Sequence, residues 1–254
     1  VTDRHTVVVS NELLAQPMSF SLSERRLLAM ILSGIKPSYN KLPSREILAI
    51  KTEADLKEAY WKQVVGDVIS ETDTFTITVA NYSELFEISL SNAKVELELA
   101  ANKLFNRVIE VDMEEYKGKF RWVSAAVFHK ATGTVSVRFT RELLPYIQGL
   151  QHNFTKIRLS KLVKLQSVYS WRLYELYRVK VGFNPRELPY FELTSLYRLM
   201  EVPPSRQEYR KFKERILKPV LAELAEVNGV KYEIKEDKEG RKVVGFWMKL
   251  SGTL

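Results

Sequence analysis

Apolar and polar positions along the chain follow two periods, helical and alternating, and the order in which those periods appear occurs twice. In "SLSERRLLAMILSGI" (21–35) Leu27, Leu28, Ile31, Leu32 and Ile35 recur at helical spacing, behind Ser21 and Glu24 in the spacing of a capping box. After a long connection, "TFTITVA" (74–80) alternates as a half-buried strand does. "NYSELFEI" (81–88) then predicts a short helix, Ser89 to Asn92 a turn, and "SNAKVELELAANKLFNRV" (91–108) a longer helix. "FRWVSAAVFHKATGTVSVRFT" (120–140) predicts two strands joined at Ala131–Gly133.

The second half repeats that order. "SVYSWRLYELYRVK" (167–180) predicts a helix packed through Trp171, Leu173, Tyr174, Leu176 and Tyr177; "PYFELT" (189–194) predicts a short strand and "SLYRLMEV" (195–202) a short helix. Pro203 and Pro204 force a turn, since neither can continue a helix. "SRQEYRKFKERILKPVLAEL" (205–224) predicts a long helix, and "VKYEIKEDKEGRKVVGFWMKL" (230–250) a hairpin with its tip at Asp237 to Gly240. Ile88 and Ser91 stand 114 residues before Val202 and Ser205 (202 − 88 and 205 − 91). Helix, strand, short helix, turn, long helix and hairpin are the parts of a winged helix-turn-helix. The expected fold class is α+β, two tandem winged helix-turn-helix domains related by a pseudo-dyad, with domains at 1–150 and 151–254. A single α+β domain with a coincidental order of elements is the alternative.

The helix at 205–224 has two faces of opposite character. Phe212, Ile216, Val220 and Leu224 form one row, flanked by Leu217 and Leu221, suited to packing on the two preceding helices. Lys211, Arg215 and Lys218 point away from that row, and Arg206, Arg210 and Lys213 lie along its borders. In a helix-turn-helix the second helix enters the major groove with its N-terminal part leading. Arg or Lys there can contact guanine O6 and N7, while other cations hold phosphates. Pro219 is expected to kink or loosen the helix beyond the basic part. Lys235, Lys238, Arg241 and Lys242 on the hairpin suit the backbone or minor groove beside it. An amphipathic surface helix with a solvated basic face is the competing reading. In the first half, Ser91, Asn92 and Lys94 are the DNA-facing candidates, with Arg25 or Arg26 assisting, but Glu96 and Glu98 would repel phosphates if they faced them.

Charge sharpens the contrast between the halves. Residues 1–150 hold 18 Lys/Arg and 19 Asp/Glu, residues 151–254 hold 21 and 12, so the net charge of +8 comes entirely from the second half. A basic face of this kind points first to nucleic acid, then to acidic lipid or an acidic partner.

Other chemistries find little support. With no cysteine there is no disulfide, thiolate zinc site or thiol nucleophile. His5, His129 and His152 are widely separated and lack metal-ligand spacing, so no metal or cofactor is expected. "GRKVVGF" (240–246) has the two glycines of a P-loop but not the Lys and Ser/Thr that follow them, and it falls in a hairpin. No segment has the length of a membrane span, and the first residues lack the features of a signal peptide. The expectation is a soluble intracellular protein that is not an enzyme.

Several segments resemble a known family. "LLPYIQGLQHNFTKIRLSKLVKLQSVYSWRLYELYR" (143–178) is similar to the junction of iteron-binding plasmid replication initiators, the RepE-like Rep family. The residues that carry this are Gly149, Leu150, Gln151, Phe154, Thr155, Arg158 and Leu159, then Ser170, Arg172, Leu173, Tyr174 and Glu175. The basic hairpin at Lys238, Gly240 and Arg241 and the pattern of "TVANYSELFEISLSNAKVELELAANKL" agree with it. The resemblance covers about 70–254 well and 5–35 loosely. It implies an initiator that binds double-stranded iteron repeats as a monomer, helps open the origin, and engages host DnaA, the replicative helicase and chaperones in the bacterial cytoplasm. It also implies a homodimer, formed through the first domain, that binds an operator and represses the initiator's own gene. By position, Arg206 to Arg215 would be the main base-reading segment and Ser91 to Lys94 its first-domain counterpart. The connection at 36–73 is longer than the family pattern, and "TEADLKEAYWKQVVGDVI" within it predicts an extra helix.

A tandem winged-helix transcriptional regulator would explain the same basic helix while binding one inverted repeat at a promoter. An enzyme acting on DNA would need a site that these residues do not display.

Overall fold

Burial follows the apolar rows. The structure, a computed structural model, describes residues 5–35, 74–112, 117–147, 154–183 and 188–253; the extra helix expected within 36–73 lies outside them. The chain divides into two units. One comprises Thr6–Ser10 and Ser23–Phe154; the other gathers Asn11–Leu22 with Thr155–Leu254 and the residues before Thr6.

The chain starts with β1 (Thr6–Ser10) and α1 (Asn11–Leu14). The N-terminal unit continues through α2 (Leu22–Gly34), β2 (Thr74–Thr78), α3 (Val79–Phe86) and α4 (Leu90–Asn106). Two hairpins follow: β3 (Val108–Asp112) with β4 (Lys117–Arg121), and β5 (Val123–His129) with β6 (Thr134–Phe139); α5 (Leu144–Ile147) comes after them. β2 pairs antiparallel with β6, giving a three-stranded sheet in the order β2-β6-β5. Leu27 and Ile31 of α2, Tyr82 and Phe86 of α3, and Ala93, Leu97, Ala100 and Leu104 of α4 supply the core. Ala93, Ala100 and Ala101 on the buried side of α4 let the helix pack closely. The β3–β4 hairpin is an addition to the sequence reading, which placed only two strands here.

In the C-terminal unit β7 (Phe154–Arg158), α6 (Leu159–Leu162) and α7 (Val168–Phe183) lead to β8 (Tyr190–Glu192) and α8 (Leu193–Leu199). The long helix is built in three parts: α9 (Tyr209–Phe212), a π-helical turn (Lys213–Leu217) and α10 (Lys218–Asn228). β9 (Val230–Glu239) and β10 (Lys242–Thr253) form the hairpin, and β8 joins β10 to give the order β8-β10-β9. The two sheets thus share one plan, with the strand before the short helix paired to the second strand of the hairpin.

The turn between the two helices shows the internal repeat atom by atom. Glu87 and Glu201 both adopt the left-handed conformation, with φ of 53° and 51°, and they stand 114 residues apart (201 − 87). The Ile88 N–H donates to Ser83 O at 3.1 Å, and the Val202 N–H donates to Tyr197 O at 2.9 Å, at the same offset. Beyond that turn the two units part. α4 begins at once, with Ser89 accepting from the Asn92 N–H. In the second unit Pro203 and Pro204 set a 3-10 turn at Pro204–Arg206, and the helix starts only at Tyr209 rather than at Ser205. Pro219 has no N–H and its ring would meet the carbonyl one turn earlier. The π-helical turn lies directly before it, and the Lys218 N–H reaches back to Lys213 O.

Arg172 ties Asn11–Leu22 into the C-terminal unit. Its guanidinium is 1% exposed and donates to Leu14 O (2.7 Å), Gln16 O (2.7 Å) and Leu199 O (3.0 Å), and it pairs with Glu175 (3.3 Å). Ser170, two residues earlier and fully buried, donates to Glu223 of α10. The stretch from Ser170 to Glu175 therefore builds the scaffold.

Gly245 lies where β10 breaks register with β9. A Cβ there would sit 2.2 Å from Tyr190 Oη and 2.8 Å from Phe191 O. Since Phe191 O is backbone in the paired strand β8, Gly245→Ala is expected to cost about 1–3 kcal/mol of stability, measured by urea denaturation.

Candidate nucleic-acid interface

The apolar row of the long helix is buried as expected: Phe212, Ile216, Leu217, Val220 and Leu224 are all 2% exposed or less. That burial fixes which side faces outward. Arg210, Lys211, Arg215 and Lys218 are exposed on the helix, and Arg206 is exposed on the 3-10 turn before it. Lys235, Lys238, Arg241 and Lys242 are exposed on the hairpin, with Lys235 Nζ 5.7 Å from the centre of the Trp247 ring. The long helix, the 3-10 turn before it and the hairpin of the same unit thus carry nine of the predicted residues on exposed positions.

Their partners separate them into groups. Lys211 pairs with Glu208 (2.8 Å) and Lys218 with Glu214 (2.8 Å), both at the surface. Such exposed pairs are weak and exchange readily for a phosphate. Arg206, Arg210 and Arg215 form no ion pair among the described residues. Lys213 is different. Its Nζ lies 2.6 Å from Glu236 Oε1 on β9, and the Tyr209 hydroxyl donates to the same oxygen at 2.8 Å. Lys238 Nζ approaches the other carboxylate oxygen at 3.3 Å.

The hydrogen bond from Lys213, then that from Tyr209, hold the Glu236 carboxyl down at about 2. Burial and the bond to Glu236 push the Tyr209 hydroxyl up. Because the folded-state value of Glu236 lies below its ordinary value near 4.5, its contribution to stability is complete above about pH 4.5 and is lost as pH falls toward about 2. The stability difference between the native chain and Glu236→Gln should therefore stay level from neutral pH to about 5 and shrink below that, as followed by denaturation at each pH.

On the opposite side of β9 the Tyr190 hydroxyl donates to Asp237 at 2.9 Å. The hairpin is thus held on both faces close to its tip. Glu192 caps α8, accepting from the Thr194 and Ser195 N–H groups at 2.7 and 2.6 Å. Burial opposes its charge, but the bonds from Ser195 and Thr194 bring its carboxyl down to about 2.

The N-terminal unit offers less charge. Ser91, Asn92 and Lys94 are exposed at the start of α4, beside the exposed Leu90 and Val95. Lys94 is the one cation among them. Arg25 and Arg26, expected to assist at DNA, are instead 4% and 3% exposed. Arg26 pairs with Glu96 of α4 at 3.0 Å and lies over the Phe86 ring, so it serves packing within the unit. The same contact answers the concern over Glu96, whose charge is met by Arg26 and by the Tyr82 hydroxyl (3.2 Å). Glu98 remains exposed.

Sequence reasoning missed Tyr209 and Glu236. The Lys213–Glu236 pair spans 23 residues and two elements, and no local periodicity encodes it.

Two helix-turn-helix units, each backed by a three-stranded sheet ending in a hairpin, define a tandem winged-helix protein. Residues 6–178 match the family described as "Initiator Replication protein, WH1", and residues 192–247 match "Initiator Rep protein, WH2". The chain belongs to this replication initiator family. It is 25% identical over 172 residues to a "Replication initiation protein" of Escherichia coli, covering 66% of this chain and 53% of that one. It is 29% identical over 117 residues to an "Uncharacterized 27.6 kDa protein" of the same organism, covering 44% and 46%. The matches thus span about half the length of these relatives. The crystal structure of the Pi initiator protein in complex with iteron DNA superposes with a TM-score of 0.74 over 98% of each chain, at 20% identity, and shows a shared fold. Among the described residues, no helix is long and apolar enough to cross a membrane.

Proposed function

We propose that this chain is a plasmid replication initiator that binds directly repeated iteron DNA, with the C-terminal unit supplying most of the affinity. The observation that carries this is the joint face of α9, the π-helical turn and the β9–β10 hairpin, whose exposed cations follow a helix of groove-entering size. Arg206 and Arg210 lead as base-reading residues, and Lys211, Arg215, Lys218, Lys235, Lys238, Arg241 and Lys242 hold the backbone. The first turn of α4, with Ser91, Asn92 and Lys94, reads an adjacent part of the repeat with lower affinity. Membership of the initiator family supports this assignment. So does the fold shared with the Pi initiator, which was crystallised with iteron DNA.

In this reading the chain binds each repeat as a monomer, helps open the origin, and engages host DnaA, the replicative helicase and chaperones. As a homodimer it represses its own gene at an operator. No covalent catalysis, metal or cofactor takes part, and the protein works in the bacterial cytoplasm.

The test is a footprint on the DNA flanking the chain's own gene at two salt concentrations. Evenly spaced protection over direct repeats, weakened by salt, is the expected result. Protection of a single palindrome at the promoter would make the protein a transcriptional regulator, and no protection by folded protein would remove both readings.

A further inference from the structure

A carboxylate stands in the middle of the basic face. Glu236 shares its side of β9 with Lys238, whose Nζ lies 3.3 Å from it, and it faces the long helix, where Tyr209 and Lys213 close on it at 2.8 and 2.6 Å. A glutamate there lowers the attraction of this face for phosphate, so its presence needs a compensating role. Its contacts show one. Tyr209 belongs to α9 and Lys213 to the π-helical turn, while Glu236 belongs to the hairpin strand. One carboxylate thereby fixes the angle between the helix and the hairpin. It also occupies Lys213, whose side chain is 32% exposed and lies among cations that carry weak pairs or none.

We infer that Glu236 is a specificity-determining positioning residue, which sets the helix against the hairpin and withholds Lys213 from the DNA backbone. This rests on the proposed DNA-binding role of the face. The physical logic is that a phosphate contact adds affinity for every sequence alike, whereas base reading depends on geometry. Binding one lysine internally reduces the sequence-independent part and stiffens the sequence-dependent part. Lys213, placed by sequence among the DNA contacts, is then an internal strut. Glu236 touches no base, and it acts through Tyr209 and Lys213.

The test uses the full chain and two duplexes, one carrying the protected repeat and one with that repeat scrambled, across a range of salt. Each phosphate contact contributes about 0.9 to the slope of log affinity against log salt. Lys213→Met is expected to leave the slope on the scrambled duplex unchanged, because Lys213 makes no phosphate contact. Glu236→Gln keeps the side-chain shape but releases the lysine. It should steepen that slope by at least about 0.9 and lower the ratio of repeat to scrambled affinity about tenfold. Glu236→Gln with Lys213→Met should lose about 0.9 of slope relative to Glu236→Gln alone. A shallower slope for Lys213→Met, or an unchanged slope and ratio for a folded Glu236→Gln, overturns the inference. Should Glu236→Gln fail to fold, Lys213→Met alone decides. A native chain that binds neither duplex would sink the proposed function itself, a result distinct from binding that the variants leave unaltered.

Discussion

Replacing Arg210 with alanine should weaken binding to the cognate repeat by about 1–3 kcal/mol and relax preference at a single base pair. Three features single this residue out. It lies in the first turn of the helix proposed to enter the groove, it is exposed, and it forms no ion pair among the described residues. Lys211, Lys213 and Lys218 each have a carboxylate partner, so each gives up an interaction before it can make another. A guanidinium can also present two parallel N–H groups to guanine O6 and N7, which an ammonium cannot. Arg206 is the second candidate, but it sits on the 3-10 turn and not on the helix. The check is competition binding with repeats altered one base pair at a time. Arg210→Ala should flatten the profile at one position and leave the others. A uniform drop across all positions would make Arg210 a phosphate contact, and an unchanged profile would move base reading to another segment.

The second large effect concerns stability. Arg172→Leu should destabilise the C-terminal unit by about 3–5 kcal/mol. The native guanidinium supplies donors to three main-chain carbonyls, those of Leu14, Gln16 and Leu199, in a buried setting. Leucine supplies none, and buried acceptors left without donors cost about 1–3 kcal/mol each. Two of the three carbonyls belong to the N-terminal segment, so its docking should fail with the rest. Arg172→Lys keeps the charge but cannot reach three acceptors at once, and it should fall between leucine and the native residue. Chemical denaturation of all three proteins measures this. A loss below about 1 kcal/mol for leucine would mean that other groups take over these carbonyls.

Local patterns in the sequence carried much of this architecture. The helix-turn-helix repeats were legible because their cores depend on helical spacing, and the 114-residue offset reappears in the left-handed turns at Glu87 and Glu201. The buried row from Phe212 to Leu224 was legible for the same reason. Contacts between distant charged residues were not. Arg25 and Arg26 count as polar in any periodic reading, and their burial depends on packing that includes Glu96, 70 residues beyond Arg26. The late start of the long helix depends on how two prolines fold locally, here a 3-10 turn that offsets it from its counterpart α4. The strands of the β3–β4 hairpin, VIEVD and KGKFR, do not alternate regularly, and they pair with no third strand among the described residues, so no local pattern announced them. Glu236 was hidden most completely. In sequence it is one acid within a basic hairpin, and only its approach to Tyr209 and Lys213 gives it a role.

The absence of cysteine makes the central claim directly measurable, because one introduced thiol can be labelled alone. A DNA-cleaving chelate would be attached at Lys211→Cys, on the first turn of the long helix, and in a second protein at Lys164→Cys. Lys164 is exposed close to Gln166 and Ser167, whose N–H groups bond to Glu223 at the far part of that helix. If the helix and hairpin form the DNA-binding face, the probe at 211 cuts within a narrow window that recurs in each direct repeat, and the probe at 164 gives no such pattern. Equal, unlocalised cutting from both positions, with binding retained, would contradict the account and place the DNA on another surface.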